Sequence, residues 1–302
     1  MLKLGPALPS PPQPSVHELY AVTPEGPRRL DVPASIEDPT RVFDSLPRGI
    51  YEALRTFDHV RFVGLQEHVE RAERSMASLG LPGPLDRGAL RRALHAVVSE
   101  FPADETRVRF DVLAGPAAAY GSQERVLVQA ADLVLPRPED YRDGVRVSLT
   151  GEVRRRRPAV KEAQWVVDRR AATARAREGG DPILVDERGR LLEGVQSNLF
   201  LVRDGALWTA PTAGVLAGVT RRFLIGLAEE AGIEVREEFV HESEIATLDE
   251  AFFTTSVRGV LPVVGVGDAT IGDGRPGAVT RRLMESYAEH CARVARPAID
   301  AI

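Results

Sequence analysis

Between Leu65 and Leu79 the apolar residues Leu65, Val69, Ala72, Met76 and Leu79 recur every three or four positions, the spacing of a helix with one buried stripe. Gly80 and Pro82 stop it. A second such pattern, Leu90, Leu94, Val97, Val98 and Phe101, follows Asp86, whose carboxylate can cap the free N–H groups of a first turn. Val219–Ala231 and Ala278–Val294 repeat the helical period, and Glu162–Glu178 reads as helical up to Gly179-Gly180. Strand-like stretches are Gly49–Phe57, with a turn at Asp58-His59 into Val60–Val63, then Arg107–Ala114, Arg125–Ala131 and Val145–Thr150. Ile233–Glu237, Ala251–Thr255 and Val260–Val266 are further strands. Two hairpins are predicted, Ile183–Val185 with Leu191–Glu193 and Leu199–Val202 with Ala206–Thr209, each around a Gly-containing turn. Glu18–Val22 and the short stretches to Phe43 read as irregular or edge strands among prolines and glycines.

Strands in runs, partly joined by hairpins and with helices between, predict an α+β or mixed α/β chain in two lobes, not a doubly wound parallel sheet. Residues 1–15, rich in proline, read as a disordered tail, and 16–134 as a small N-terminal lobe. Residues 135–144, Leu-Pro-Arg-Pro-Glu-Asp-Tyr-Arg-Asp-Gly, read as the interdomain linker, and 145–302 as the larger C-terminal lobe.

Composition narrows the classes. The chain has 302 residues and a net charge of −5, which excludes a general nucleic-acid coat. One cysteine, Cys291 on a helical pattern, excludes a disulfide framework and reads as packing. No run of 18 apolar residues spans a membrane and the start lacks a signal peptide, so a cytoplasmic protein is expected. The six histidines are scattered, and a metal site is not expected. Hydrolase elbow, phosphate-loop and dinucleotide signatures are absent. The run Arg154–Arg157 reads as a solvated edge.

Among 39 Lys and Arg residues only Lys3 and Lys161 are lysine. Nucleotide bias accounts for arginine wherever charge alone is needed. Arginine cannot stand in for an amine that must lose its proton. Lys3 lies in the tail, so Lys161, just past the linker, is the candidate reactive amine; position alone leaves a surface lysine equally open. Glu193, between Leu192 and Gly194 on a strand, is a candidate buried carboxylate that needs a partner. Gly218-Val219-Thr220 opens a helix whose free N–H groups and hydroxyl suit a phosphate. Thr254-Thr255-Ser256 ends a strand in three hydroxyls, and His68 and Arg71 share a helix face.

These residues stand in the order Arg71, Lys161, Glu193, Val219-Thr220, Ser256. With the stretches Gly49–Arg55, Glu67–Arg71, Glu193–Phe200, Leu216–Arg221 and Ile271–Gly277, they resemble the class IV aminotransferase family, the fold-type IV enzymes that use pyridoxal phosphate (PLP). The resemblance runs from about Gly49 to about Leu283 and implies a two-lobed fold with the site between the lobes. By matching position, it implies that Lys161 is the Schiff-base lysine and that Glu193 pairs with the pyridine nitrogen. Arg71, Val219, Thr220 and Ser256 would hold the phosphate. Tyr51, Arg55 and Arg109 would touch substrate. A homodimer is implied, since family sites border a subunit interface.

Departures bear on the substrate. Ala114-Gly-Pro-Ala117 replaces the arginine and histidine of the D-amino-acid branch, and Ala53 replaces a threonine of the aminodeoxychorismate lyase branch. Arg109 matches an arginine of the branched-chain branch, but its neighbouring tyrosine has no counterpart, and Gln164 and Gly259 stand for an asparagine and a glutamate. The expected reaction is amino transfer from an L-amino acid, branched-chain or otherwise apolar, to a 2-oxo acid. The alternatives are a PLP lyase releasing pyruvate and a relative that has lost catalysis.

Overall fold

The computed structural model describes residues 17–33, 36, 39–175 and 181–300. The tail 1–15 with Lys3, and the end of the helix expected over Glu162–Glu178, lie outside them.

The first lobe is built from strands β1 (His17–Thr23), β2 (Gly26–Leu30), β3 (Gly49–Arg55), β4 (Arg61–Phe62), β5 (Thr106–Leu113) and β6 (Val126–Asp132), and helices α1 (Leu65–Leu79) and α2 (Arg87–Glu100). Its antiparallel sheet has the order β2-β1-β6-β5-β3. The stretch expected to be irregular or an edge, Glu18–Val22, lies inside this sheet: β1 pairs with both β2 and β6. Its second partner, β6, lies more than a hundred residues along the chain, which local punctuation cannot reveal; β2 is the edge.

One sheet face is apolar, with Ile50, Leu54, Val108, Phe110 and Val128 packed on Val69, Met76, Leu90 and Leu94 of α1 and α2. Asp86 caps α2, accepting the Ala89 N–H at 2.8 Å. Gly80 ends α1 at φ 62°, a left-handed conformation that glycine adopts without a Cβ penalty. The other face carries Tyr51, Ala53 and Arg55 opposite Asp111, Arg109 and Arg107.

Residues 135–144 contain a short helix, α3 (Pro138–Asp143). The second lobe adds β7 (Val145–Val147), β8 (Leu149–Thr150), α4 (Gln164–Asp168), α5 (Arg170–Arg175), β9 (Ile183–Val185), β10 (Leu191–Gly194), β11 (Asn198–Arg203) and β12 (Ala206–Thr209). It continues with α6 (Val219–Glu230), β13 (Val235–Glu237), β14 (Glu250–Thr255), β15 (Gly259–Val266), β16 (Ala269–Thr270) and α7 (Ala278–Val294), and ends in β17 (Arg296–Pro297). Both predicted hairpins form, and parallel pairing is confined, among the described residues, to β12–β13, β15–β7 and β8–β9. The single strand expected over Val145–Thr150 is two, because Ser148 breaks it and β7 and β8 join different neighbours.

Helices α6 and α7 cover one face of this sheet through Leu224, Ala228, Leu283, Tyr287 and Cys291, against Phe200 and Phe252. Cys291 is buried, as packing requires. The chain then returns to the first lobe: β17 pairs with β4, and Ala298 enters the core under α2. No helix among the described residues is long and apolar enough to cross a membrane.

Candidate active site

Lys161 belongs to the loop between β8 and α4, and that loop is fastened to the first lobe. The Tyr51 N–H donates to the Lys161 carbonyl at 3.0 Å, and the Ala163 N–H to the Gly49 carbonyl at 2.9 Å. These bonds hold the Lys161 ammonium over the Tyr51 ring, 4.7 Å from its centroid. The side chain lines a cleft of about 210 Å³ whose walls also carry Arg71, Glu193, Val219, Thr220 and Ser256. All six residues that the sequence assigned to the cofactor therefore meet at one cavity.

Burial disfavours the charged amine, and the cations Arg71 and Arg155 add to that; Tyr51 and Glu52 oppose it. The Lys161 amine is drawn down to about 8, within reach of the neutral, nucleophilic form near neutral pH.

Glu193 ends β10 with its carboxylate inward. Its Oε1 accepts Arg155 Nε at 2.6 Å, and its Oε2 accepts Asn198 Nδ2 at 3.1 Å and the Leu216 N–H at 3.2 Å. With one donor, Oε1 keeps acceptor capacity for a ring N–H. Burial pushes the carboxyl above its ordinary value, and Arg155 and the Leu216 N–H offset part of that. Asn198 also donates to the Leu216 carbonyl at 2.8 Å, which it can do only because residue 218 lacks a side chain: a Cβ on Gly218 would stand 1.9 Å from Asn198 Oδ1.

Gly218 also precedes α6, whose first-turn N–H groups have no helical partner. Beside that turn, the Thr220 and Ser256 hydroxyls lie 3.1 Å apart, and Ser256 contacts His68 Nε2 at 3.0 Å. Arg71 reaches the same place with less freedom than a phosphate fork needs. Its Nε and Nη2 donate to Glu52 at 2.9 and 2.5 Å, and Nη1 to the Ala217 carbonyl at 3.1 Å. Burial would raise the Glu52 carboxyl, but Arg71 and then His68 overcome it and bring it to about 2. Arg71 thus carries its charge on a buried acid, and the helix turn and hydroxyls supply the directed donors.

The three residues matched to substrate contacts separate. Tyr51 lines the cleft. Arg55 does not: it pairs with Glu105 and lies over the Phe57 ring. Arg109 is also outside the lining, 2% exposed and held between the Phe43 and Tyr51 rings. Its Nε and Nη2 are both spent on Asp111, at 2.8 and 2.6 Å. Its strand neighbour Arg107 lines the cleft, as do Arg155, Arg169 and Arg258.

Sequence reasoning missed Arg155 by reading Arg154–Arg157 as one solvated run. Arg154 and Arg157 are exposed, but the Arg155 side chain is 6% exposed, paired with Glu193 and stacked over Trp165 at 4.6 Å. Four identical residues carry no alternation in the sequence; the structure turns Val153 and Arg155 inward between exposed Arg154 and Arg156, the period of extended backbone.

Comparison with known proteins gives the family. The family model for amino-transferase class IV matches residues 49–266. A D-alanine aminotransferase of Bacillus licheniformis is 28% identical over 244 residues, 78% of this chain and 84% of that protein. A probable branched-chain-amino-acid aminotransferase of Thermotoga maritima is 32% identical over 247 residues, 80% of this chain and 86% of that protein. The crystal structure of a putative branched-chain amino acid aminotransferase from Thermotoga maritima superposes with a TM-score of 0.72 at 29% identity, covering 90% of this chain and 95% of that one. The fold is shared with a branched-chain aminotransferase from the archaeon Thermoproteus uzoniensis solved with norvaline, with a TM-score of 0.71 at 21% identity over 93% of this chain and 99% of that one. The chain belongs to the class IV aminotransferase family.

Proposed function

We propose that the protein is a PLP-dependent aminotransferase that moves an amino group from an L-amino acid, branched-chain or otherwise apolar, to a 2-oxo acid, as a cytoplasmic homodimer. The observation that carries the reading is Lys161: a half-buried amine drawn down to about 8, in one cleft with an inward carboxylate and a helix N-terminus. That set fits a phosphorylated pyridine aldehyde, with an amine for its carbonyl, a free Oε1 lone pair on Glu193 for its ring nitrogen, and the α6 N–H groups with Thr220 and Ser256 for its phosphate. When bound, PLP supplies a protonated ring that takes up the electron pair released at the substrate Cα.

The chain's own residues do the rest. Lys161 Nζ, once neutral, would accept the proton from the substrate Cα and hold it for return. It is held on the Tyr51 side by the two backbone bonds across the lobes. Glu193 would hold a ring N–H, because Arg155, Asn198 and the Leu216 N–H fix its carboxylate and leave Oε1 acceptor capacity. Ala53, Val134, Leu216 and Val257 are apolar residues of the wall, which supports an apolar side chain on one substrate.

A panel of L- and D-amino donors against 2-oxoglutarate and pyruvate tests this. The expected result is stoichiometric exchange of amino and oxo groups, fastest with L-leucine, L-isoleucine or L-valine. Pyruvate released from aminodeoxychorismate without an acceptor supports the lyase alternative instead. A preference for D-donors refutes the stereochemical part. Gel filtration checks the dimer, and a monomer eluting with full activity contradicts it.

A further inference from the structure

Five guanidinium groups line the cleft, and they fall into two sets. Arg71 is matched by Glu52 at 2.5 Å, Arg155 by Glu193 at 2.6 Å and Arg258 by Asp181 at 3.3 Å. Arg107 and Arg169 have no such match: among the described residues no carboxylate lies within ion-pair distance of either. Asp111, the acid whose charge Arg107 feels, gives both oxygens to Arg109. Asp181, which Arg169 feels, is engaged through Oδ2 by Ser197, the Gln196 N–H and Arg258. Among the described residues Arg169 Nη1 finds only the Val195 carbonyl at 3.3 Å and the Tyr51 hydroxyl at 3.4 Å, and no side-chain hydrogen bond takes up Arg107.

Burial with Arg109 and Arg169 nearby presses the Arg107 guanidinium down to about 10, which still leaves it charged at neutral pH. Two cations turned to one cavity without counter-ions cost stability unless something anionic arrives. The cofactor phosphate has its own donors at α6, with Arg71. What remains is the substrate, and every amino and oxo acid brings a carboxylate, the group a guanidinium fork binds best.

We infer that Arg107 and Arg169, together with the Tyr51 hydroxyl, form the clamp for a substrate carboxylate. The inference rests on the aminotransferase reading and names residues other than Arg109, whose fork is already filled by Asp111. The captured group is the α-carboxylate or the second carboxylate of an acidic partner substrate, and one experiment separates them.

PLP-loaded wild-type protein and the variants R107Q and R169Q are titrated by calorimetry with valerate, which has one carboxylate, and with glutarate, which has two. Neither ligand has a group to transfer. Each variant is expected to bind at least about tenfold more weakly, the size of one lost charged hydrogen bond. Equal losses for both ligands place the α-carboxylate in the clamp. A loss for glutarate alone places the second carboxylate there and predicts an acidic amino acid as one substrate. R107K and R169K, which keep charge without the fork, should fall between. Wild-type affinity for both ligands in both glutamine variants overturns the clamp, as does wild-type protein that binds neither. The cofactor absorbance and amino-transfer rate of the same wild-type preparation keep the two claims apart. Turnover with unaltered variant affinities defeats the clamp alone, and absence of turnover defeats the reading beneath it.

Discussion

On the wall of the cleft formed by α1, β10, the loop before α4 and the turn after β14, each guanidinium lies within 3.3 Å of a buried carboxylate. On the wall formed by β3, β5 and the residue between α4 and α5, Tyr51 faces Arg107 and Arg169, and neither has an acid of its own. The first wall is electrically closed before any ligand enters, so its work is to hold geometry. The second carries two guanidinium groups that no carboxylate matches, with the acidified Tyr51 phenol beside Arg169. Lys161 stands at the seam, fixed to the second wall by its backbone and feeling both. The comparison teaches that counting arginines in a cleft says little; which of them already has a counter-ion decides what the cleft can take up.

The largest expected effect lies at the seam. Replacing Lys161 by Ala should lower steady-state amino transfer by ~10³-fold or more, the scale of a positioned proton carrier. Residual activity near wild type would move the chemistry elsewhere. Next comes the contrast between the walls. R155Q leaves Glu193 buried without its cation and should reduce unfolding free energy in urea by about 3–5 kcal/mol. R107Q, on the open wall, removes a cation with no partner to strand and should change stability by less than ~1 kcal/mol or raise it. Equal costs for the two variants would erase the distinction.

A smaller effect is the pH response of the amine. Because the folded-state value of Lys161 is lowered to about 8, the neutral fraction grows as pH rises towards 8 and saturates above it. Uptake of PLP by cofactor-free protein, followed by absorbance, should therefore slow about tenfold per pH unit below that point and level off above. A midpoint at the ordinary lysine value would contradict the burial argument. The smallest effect belongs to Tyr51. Burial opposes its ionisation, but Arg169, Lys161, Arg155 and Arg109 together outweigh that and bring the phenol down to about 7. Its charge supports that of Lys161, so Y51F should move the uptake midpoint downward; an upward shift would be inconsistent.

The seam, Arg71 and Glu193 of the first wall and Tyr51 of the second were legible in the sequence; the remaining guanidinium groups of both walls were not. Lys161 stands out because arginine, used almost everywhere else, cannot lose a proton. Glu193 and Gly218-Val219-Thr220 stand out because strand and helix ends leave a recognisable local pattern. Helices α1 and α7 follow from their apolar period. What stayed hidden depends on contacts between distant residues. Arg109 matched a known position, yet two residues along the same strand Asp111 takes its fork, and Arg107 faces the cleft instead. Arg155 was concealed in a run of four identical residues, and Arg169 beside Arg170 reads as helix surface until Tyr51 is brought against it. The burial of β1 between two partners was hidden for the same reason.

The central claim, that Lys161 is the amine on which the chemistry turns, is tested most directly by reducing PLP-saturated protein with borohydride and mapping the peptides by mass spectrometry. A single pyridoxyl group fixed to the Lys161 side chain is the predicted result. A reducible chromophore that maps elsewhere, or none at all, would contradict it.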